Sequence, residues 1–200
     1  MQLVPGDKLI AVLQQARQHP ELGLAQPADH APAHDHRVVG RQPDANGLAL
    51  AARIKGESYH VYCLMGDGET HEGQVWEAAR SAVQQRLGNL TAIIDRNRLK
   101  AMDRSYQADD LAALPDKWQA FGWRVVQVDG HDMSALVHAL DWARTQSRGP
   151  ALIIAETIKG KGVSFMEDQP AYHNAALTAT QFEAALQELD RALAGLEDQA

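Results

Sequence analysis

The chain has 200 residues, of which 45% are hydrophobic and 22% charged, and a formal net charge of −7. That length suits one well-packed α/β domain rather than two, and the acidic balance argues against nucleic acid or an anionic membrane as the main partner. Any anionic ligand must then be held by a local positive site.

The single cysteine, Cys63, excludes an internal disulfide and suits a reducing compartment. No apolar run approaches the about 20 residues that span a bilayer, and the opening MQLVPGDKLI lacks a basic region followed by an apolar stretch. The expectation is a cytoplasmic protein without a membrane anchor.

Residues 1–45 differ from the rest and read as an irregular N-terminal arm. Within them Gly6 to Gln18 suits a short helix, with Leu9, Val12, Leu13 and Ala16 at helical spacing. The stretch that follows is rich in Pro, His, Asp and Ala, has no periodicity, and predicts a long or poorly ordered loop. Residues 46–200 read as one α/β domain.

The segment LALAARIKG predicts a helix closed by Gly56, and residues 59–65 a strand that runs into the turn Gly66-Asp67-Gly68. A helix over 71–87 leads to a strand over 90–96. A helical segment restarting at Pro115 leads to a strand over 123–129. Met133, Leu136, Val137, Leu140 and Ala143 mark a helix over 133–147. A strand over 151–158 and a C-terminal helix from about Thr180 complete the pattern. Val- and Ile-rich strands alternating with amphipathic helices predict a parallel sheet with helices on both faces. Ligands of such sheets bind beyond the carboxyl ends of the strands.

Asp67 lies at one such end, between glycines that allow a sharp turn and the close approach of a bulky anion. Gly-Asp-Gly alone is also a common turn. The next strand, however, ends at Asn97, and a right-handed crossover between adjacent parallel strands sets their carboxyl ends side by side. A carboxylate, an amide oxygen and a main-chain carbonyl suit Mg²⁺, which completes an octahedron with phosphate oxygens and water. The helix starting near His71 points its positive end at the same place.

The motifs GDG, EGQVWEAA and IIDRN, followed by DKWQAFGW, VDGHD and KGKGVSFMED and ending near Tyr172-His173, resemble the thiamine-diphosphate-binding domain of transketolases. The resemblance runs from about Gly47 to His173. It implies the thiamine-diphosphate-binding fold and a two-carbon ketol transfer between sugar phosphates. Asp67, Asn97 and the Leu99 carbonyl would hold Mg²⁺ (or Ca²⁺). Gly66, Asp67, Gly68, Asn97, Lys159 and His173 would contact cofactor or substrate, with His173 the one candidate for a catalytic part. Glu72 would lie at a subunit interface. His131 and Asp132 are assigned a tight turn and a helix N-cap.

Departures from the family pattern are as informative. Arg96 stands where the family has Asn or Asp, and Lys100 to Arg104 replace its Gln-Ile-Asp-Gly. The family's upstream Gly-His-Pro, second-histidine and Gly-rich loops have no counterpart here beyond Gly40 to Gly47, so the chain is expected to be truncated at its N-terminus, with an incomplete pocket. The family's pyrimidine-binding domain, with the glutamate that activates the cofactor, and its C-terminal domain are not in this sequence.

A split enzyme is therefore expected: inactive as an isolated chain, and a homodimer that works with a separate pyrimidine-binding subunit. The rival is a non-catalytic relic that keeps the fold and binds diphosphate weakly at most. A generic dinucleotide domain is disfavoured, since no G-x-G-x-x-G opens a helix after a strand. The cluster His30, His34, His36, Asp29 and Asp35 matches no firm zinc spacing. The four tryptophans read as core or interface aromatics, and Cys63 as inert.

Overall fold

The computed structural model describes residues 36–39, 41–99 and 113–197. In chain order they form β1 (His36–Val39), α1 (Gln42–Lys55), β2 (His60–Gly66), a 3-10 turn (Asp67–His71) and α2 (Gly73–Gln84). Next come β3 (Leu90–Arg96), α3 (Leu114–Ala120), β4 (Arg124–Asp129), α4 (Met133–Arg144) and β5 (Ala151–Glu156). A 3-10 turn (Pro170–Tyr172) and α5 (Ala179–Glu197) follow. The five strands pair in the order β1-β2-β3-β5-β4, every pair parallel.

Strands covered on both faces must be apolar at consecutive positions rather than alternate ones, and β2, β3 and β5 are. Val61, Cys63 and Met65 of β2, Leu90, Ala92 and Ile94 of β3, and Leu152 and Ile154 of β5 face one side, against α1, α2 and α3. Tyr62, Leu64, Ile93, Ala151 and Ile153 face the other, where Ala139 and Ala143 of α4 pack. Small residues on the helices allow close approach: Ala45, Ala49 and Ala52 of α1 and Ala79 and Ala82 of α2 are fully buried.

Local signals end the helices where expected. Gly56 closes α1 in the left-handed region (φ 70°), and Glu57 N–H donates to the Ala52 carbonyl at 2.8 Å. Pro115 sits in the first turn of α3. Asp132 caps α4 by accepting from the Ala135 N–H at 3.0 Å. Among the described residues no helix is long and apolar enough to cross a membrane.

The start of the domain differs from the sequence expectation. Residues 36–45, read as part of the irregular arm, include the edge strand β1, in register with His60 to Cys63 of β2, and the first turn of α1. A four-residue edge strand has too short a pattern to stand out. The buried face of α1 begins with Gln42 and Ala45, which hydrophobic periodicity weighs lightly. Residues 1–35 lie outside the described residues, and with them the helix expected over Gly6 to Gln18 and most of the histidine cluster.

An aromatic group closes the first face. Trp118 is fully buried, with its ring centroid 4.8 Å from Trp123 in an edge-on contact and 5.3 Å from Trp76. Trp118→Ala is expected to cost about 3–5 kcal/mol through the cavity it leaves. Phe121→Ala, at a ring 36% exposed, should cost markedly less. Urea unfolding of the two variants checks the contrast: the midpoint of the first should fall far more, with the slope unchanged.

Candidate functional site

Parallel pairing places the site. Gly66 of β2 is opposite Asp95 of β3, and Arg96 of β3 is opposite Glu156 of β5. The residues that leave these three strands, Asp67, Asn97 and Thr157, therefore emerge side by side at one edge of the sheet.

Asp67 is 1% exposed. The Arg98 N–H donates to its Oδ2 at 2.8 Å, which ties the end of β2 to the loop after β3 that carries Asn97 and Leu99. The Thr70 hydroxyl donates to the Asp67 carbonyl at 2.6 Å and shapes the 3-10 turn. Burial lifts the Asp67 carboxyl from 3.8 to about 6, and the backbone amides of Arg98 and Gly68 offset part of that rise. Asn97 is buried, and its Oδ1 accepts the Leu99 N–H at 3.0 Å. A hard divalent cation takes donors of this kind: a carboxylate, an amide oxygen with a second lone pair, and a nearby main-chain carbonyl.

Of the two uses the sequence suggests for Gly66 and Gly68, a sharp turn and room for an anion, the backbone does not require the first. Gly66 has φ −76° and ψ 155°, extended backbone open to any residue, and neither glycine is in the left-handed region. A Cβ on Gly66 would meet no atom within 4 Å. The glycine leaves open space beside Asp67 instead of enabling a strained turn. The α-helix begins at Gly73, after the 3-10 turn, rather than near His71. Glu72 is exposed at its N-cap and accepts from the Gln74 side chain.

On the β5 side the loop 157–173 brings Lys159 and His173 together. Burial and then the Lys159 charge hold the His173 imidazole below its ordinary range, so the ring is neutral near pH 7. Its Nδ1 is buried with no hydrogen-bond partner among the described residues. Gly160 is required here: at φ 74° a Cβ would lie 2.6 Å from the Met166 carbonyl oxygen.

His131, assigned to a turn, does more. Its Nε2 accepts the Ile158 N–H at 2.7 Å and fixes the backbone just before Lys159. The two halves of the site meet at the seam between β3 and β5. There Thr157 N–H donates to the Arg96 carbonyl at 3.1 Å, and Glu156 binds both Arg96 and Arg98.

Sequence reasoning missed Glu156, Thr70 and the Arg98 amide. A parallel pairing of β3 with β5 would have pointed to the first, but the other two depend on backbone conformation. Among the described residues no group of three or more His, Cys, Asp and Glu is placed to hold a metal ion. Burial pushes the Cys63 thiol far above its ordinary range, with Glu69 and Asp44 adding to the effect, so no thiolate forms near neutrality.

The candidate residues thus gather beyond the carboxyl ends of three central parallel strands, where open α/β sheets bind their ligands. The family model for the transketolase thiamine-diphosphate-binding domain matches residues 51–192, and the chain belongs to that family. It is 40% identical over 151 residues to one subunit of an apulose-4-phosphate transketolase from Phocaeicola vulgatus, covering 76% of this chain and 54% of that one. It is 41% identical over 147 residues to one subunit of a 6-deoxy-6-sulfo-D-fructose transketolase from a Clostridium species, covering 74% and 54%. The chain thus spans about half the length of these curated relatives. Among solved structures, a transketolase from Campylobacter jejuni superposes with a TM-score of 0.67 at 28% identity, covering 74% of this chain and 24% of the other.

The raised Asp67 carboxyl makes a signed prediction. Between about pH 4 and pH 6 the folded chain holds a proton here that the unfolded chain has released, so its contribution to stability falls as pH rises through that window and is flat above it. The full loss is on the order of 2–3 kcal/mol. Asp67→Asn should remove this component, so the difference in unfolding free energy between variant and wild type, measured without metal, grows from pH 4 to pH 6. A constant difference would show that the carboxylate is not strained.

Proposed function

We propose that this chain is the diphosphate-binding half of a thiamine-diphosphate-dependent enzyme that transfers two-carbon ketol units between sugar phosphates. The observation that carries the reading is the buried Asp67 carboxylate bonded to the loop of Asn97 and Leu99. Family membership and the names of relatives as transketolase subunits support it. Asp67, Asn97 and the Leu99 carbonyl would hold Mg²⁺ or Ca²⁺, and the donor set fits in kind because it offers only oxygen, from residues that follow adjacent strands. When bound, the cofactor supplies the carbon nucleophile that carries the two-carbon unit.

The chain's own residues position and neutralise. Gly66 and Gly68 leave room for the diphosphate, and Lys159 contributes positive charge. Neutral His173, with its buried Nδ1, is suited to hydrogen-bond cofactor or substrate. The substrates would be ketoses and aldoses with an anionic tail. The activating groups for the pyrimidine ring would come from a partner chain, since the relatives are named as subunits of transketolases. A homodimer with Glu72 and α2 at its surface, working in the cytoplasm, completes the proposal.

Calorimetry with Mg²⁺ and thiamine diphosphate is expected to show metal-dependent binding that Asp67→Ala abolishes while the circular dichroism of the fold is kept. Equal affinity in the variant would remove Asp67 from the site. In a ketol-transfer assay the purified chain should be silent with donor, acceptor, metal and cofactor, and gain activity when a pyrimidine-binding subunit is added. Robust turnover by the chain alone would show that no second subunit is needed.

A further inference from the structure

Arg96 and Glu156 face each other across the paired strands β3 and β5. Glu156 Oε1 accepts from Arg96 Nη1 at 2.6 Å, and its Oε2 accepts from Arg98 Nη2 at 3.0 Å. One carboxylate thus grips the two arginines that flank Asn97. The residue between the candidate donors Asn97 and Leu99 is Arg98, whose backbone is left-handed at φ 61°. A non-glycine residue keeps that conformation only where its surroundings hold it. In that conformation the Arg98 N–H reaches Asp67 Oδ2 at 2.8 Å.

The two ion pairs are unequal. The Arg96 side chain is 10% exposed and that of Arg98 67% exposed. Solvent screens the outer pair, which mainly gives direction, while the inner pair is shielded and fixes the end of β3. Arg96 is also close enough to act on the charge of Asp67. Left alone, its guanidinium would repel a divalent cation held there, and Glu156 offsets that charge from the side away from Asp67's own strand.

We propose that Glu156 is a positioning residue: through Arg96 and Arg98 it holds the loop 96–99 in the form that presents Asn97 and Leu99 to the same cation as Asp67. The metal consequence rests on the function proposed above, whereas the loop geometry does not.

The test has two arms on the full chain, with Glu156→Gln and the double variant Arg96→Met/Glu156→Gln, which leaves no buried charge unpaired at the seam. In the first arm, amide hydrogen exchange is followed by NMR on metal-free protein. The Arg98 amide should exchange faster in both variants while Cys63 and Ile94, deep in the sheet, stay protected. In the second, Mg²⁺ is titrated calorimetrically in the presence of thiamine diphosphate, and its affinity should fall about 10–100-fold, as for other residues that orient metal ligands.

Unchanged Arg98 exchange, or deprotection of the whole sheet in both variants, overturns the proposal. Faster exchange with wild-type Mg²⁺ affinity also overturns it. A wild-type chain that binds no cofactor at any Mg²⁺ concentration overturns the proposed function instead, and the exchange arm still decides whether Glu156 holds the loop.

Discussion

A carboxylate buried to 1% exposure at the end of a parallel strand is the constraint on which the carboxyl edge of this sheet turns. Ionised Asp67 is costly there, and the amides of Arg98 and Gly68 offset that cost only in part. What tolerates it is the sheet behind it. Ile94, Leu152, Ile154, Val61 and Met65 are essentially fully buried, and each such side chain contributes about 1.5–3 kcal/mol against exposure. A handful of them outweighs the strain at Asp67. The chain can hold a destabilising group in place because the core sits directly beneath it.

Strand order decides which residues share the site. β2, β3 and β5 are the central neighbours, and Asp67, Asn97, Thr157 and Lys159 all follow from their ends. Neither edge strand carries a candidate ligand. The turn after β4 still reaches in, through the bond from the Ile158 N–H to the His131 ring. That bond requires an unprotonated Nε2, so the backbone before Lys159 is set by an imidazole on the neighbouring connection rather than by the sheet ladder. The loop 157–173 is thus pinned from both sides: by His131 at its start, and by Glu188 of α5, which accepts from the Ser164 amide and hydroxyl at 2.6 and 2.8 Å.

Much of this was legible in the sequence, for physical reasons that differ by element. The buried strand over Leu90–Arg96 was found to the residue because continuous Ile and Ala between turn signals fit little else. Asp132 was found because a cap needs only a local acceptor. Asp67 and Asn97 stood out because a crossover between adjacent strands brings their spacing together. β1 and the first turn of α1 were not legible, since a short edge strand and an alanine-rich helix face leave a faint pattern. The sharp turn expected of Gly66 and Gly68 is not what the backbone needs them for, since neither is left-handed, while the space expected beside Asp67 is open at Gly66. Glu156 and the His131 acceptor depend on β5 inserting between β3 and β4, which no local signal reports, and the Arg98 amide depends on a left-handed backbone at that residue.

The charge balance bears on how an acidic chain would hold an anionic cofactor. Asp67, Asp95, Glu69, Glu72 and Glu156 all lie on or beside the turns at this edge, and the net charge of the chain is −7. A diphosphate approaching that edge alone would meet repulsion from fixed carboxylates, and at close range in a partly buried site such repulsion is weakly screened. Lys159, Arg96 and Arg98 carry positive charge beside the same edge, and Glu156 pairs with both arginines. On the proposed reading the divalent cation is therefore more than a tether. It offsets the excess of negative charge at this edge, turning the buried carboxylate that opposes the ligand into part of what holds it. The same carboxylate that strains the metal-free fold would be relieved on binding, so the binding of metal and of cofactor would be coupled.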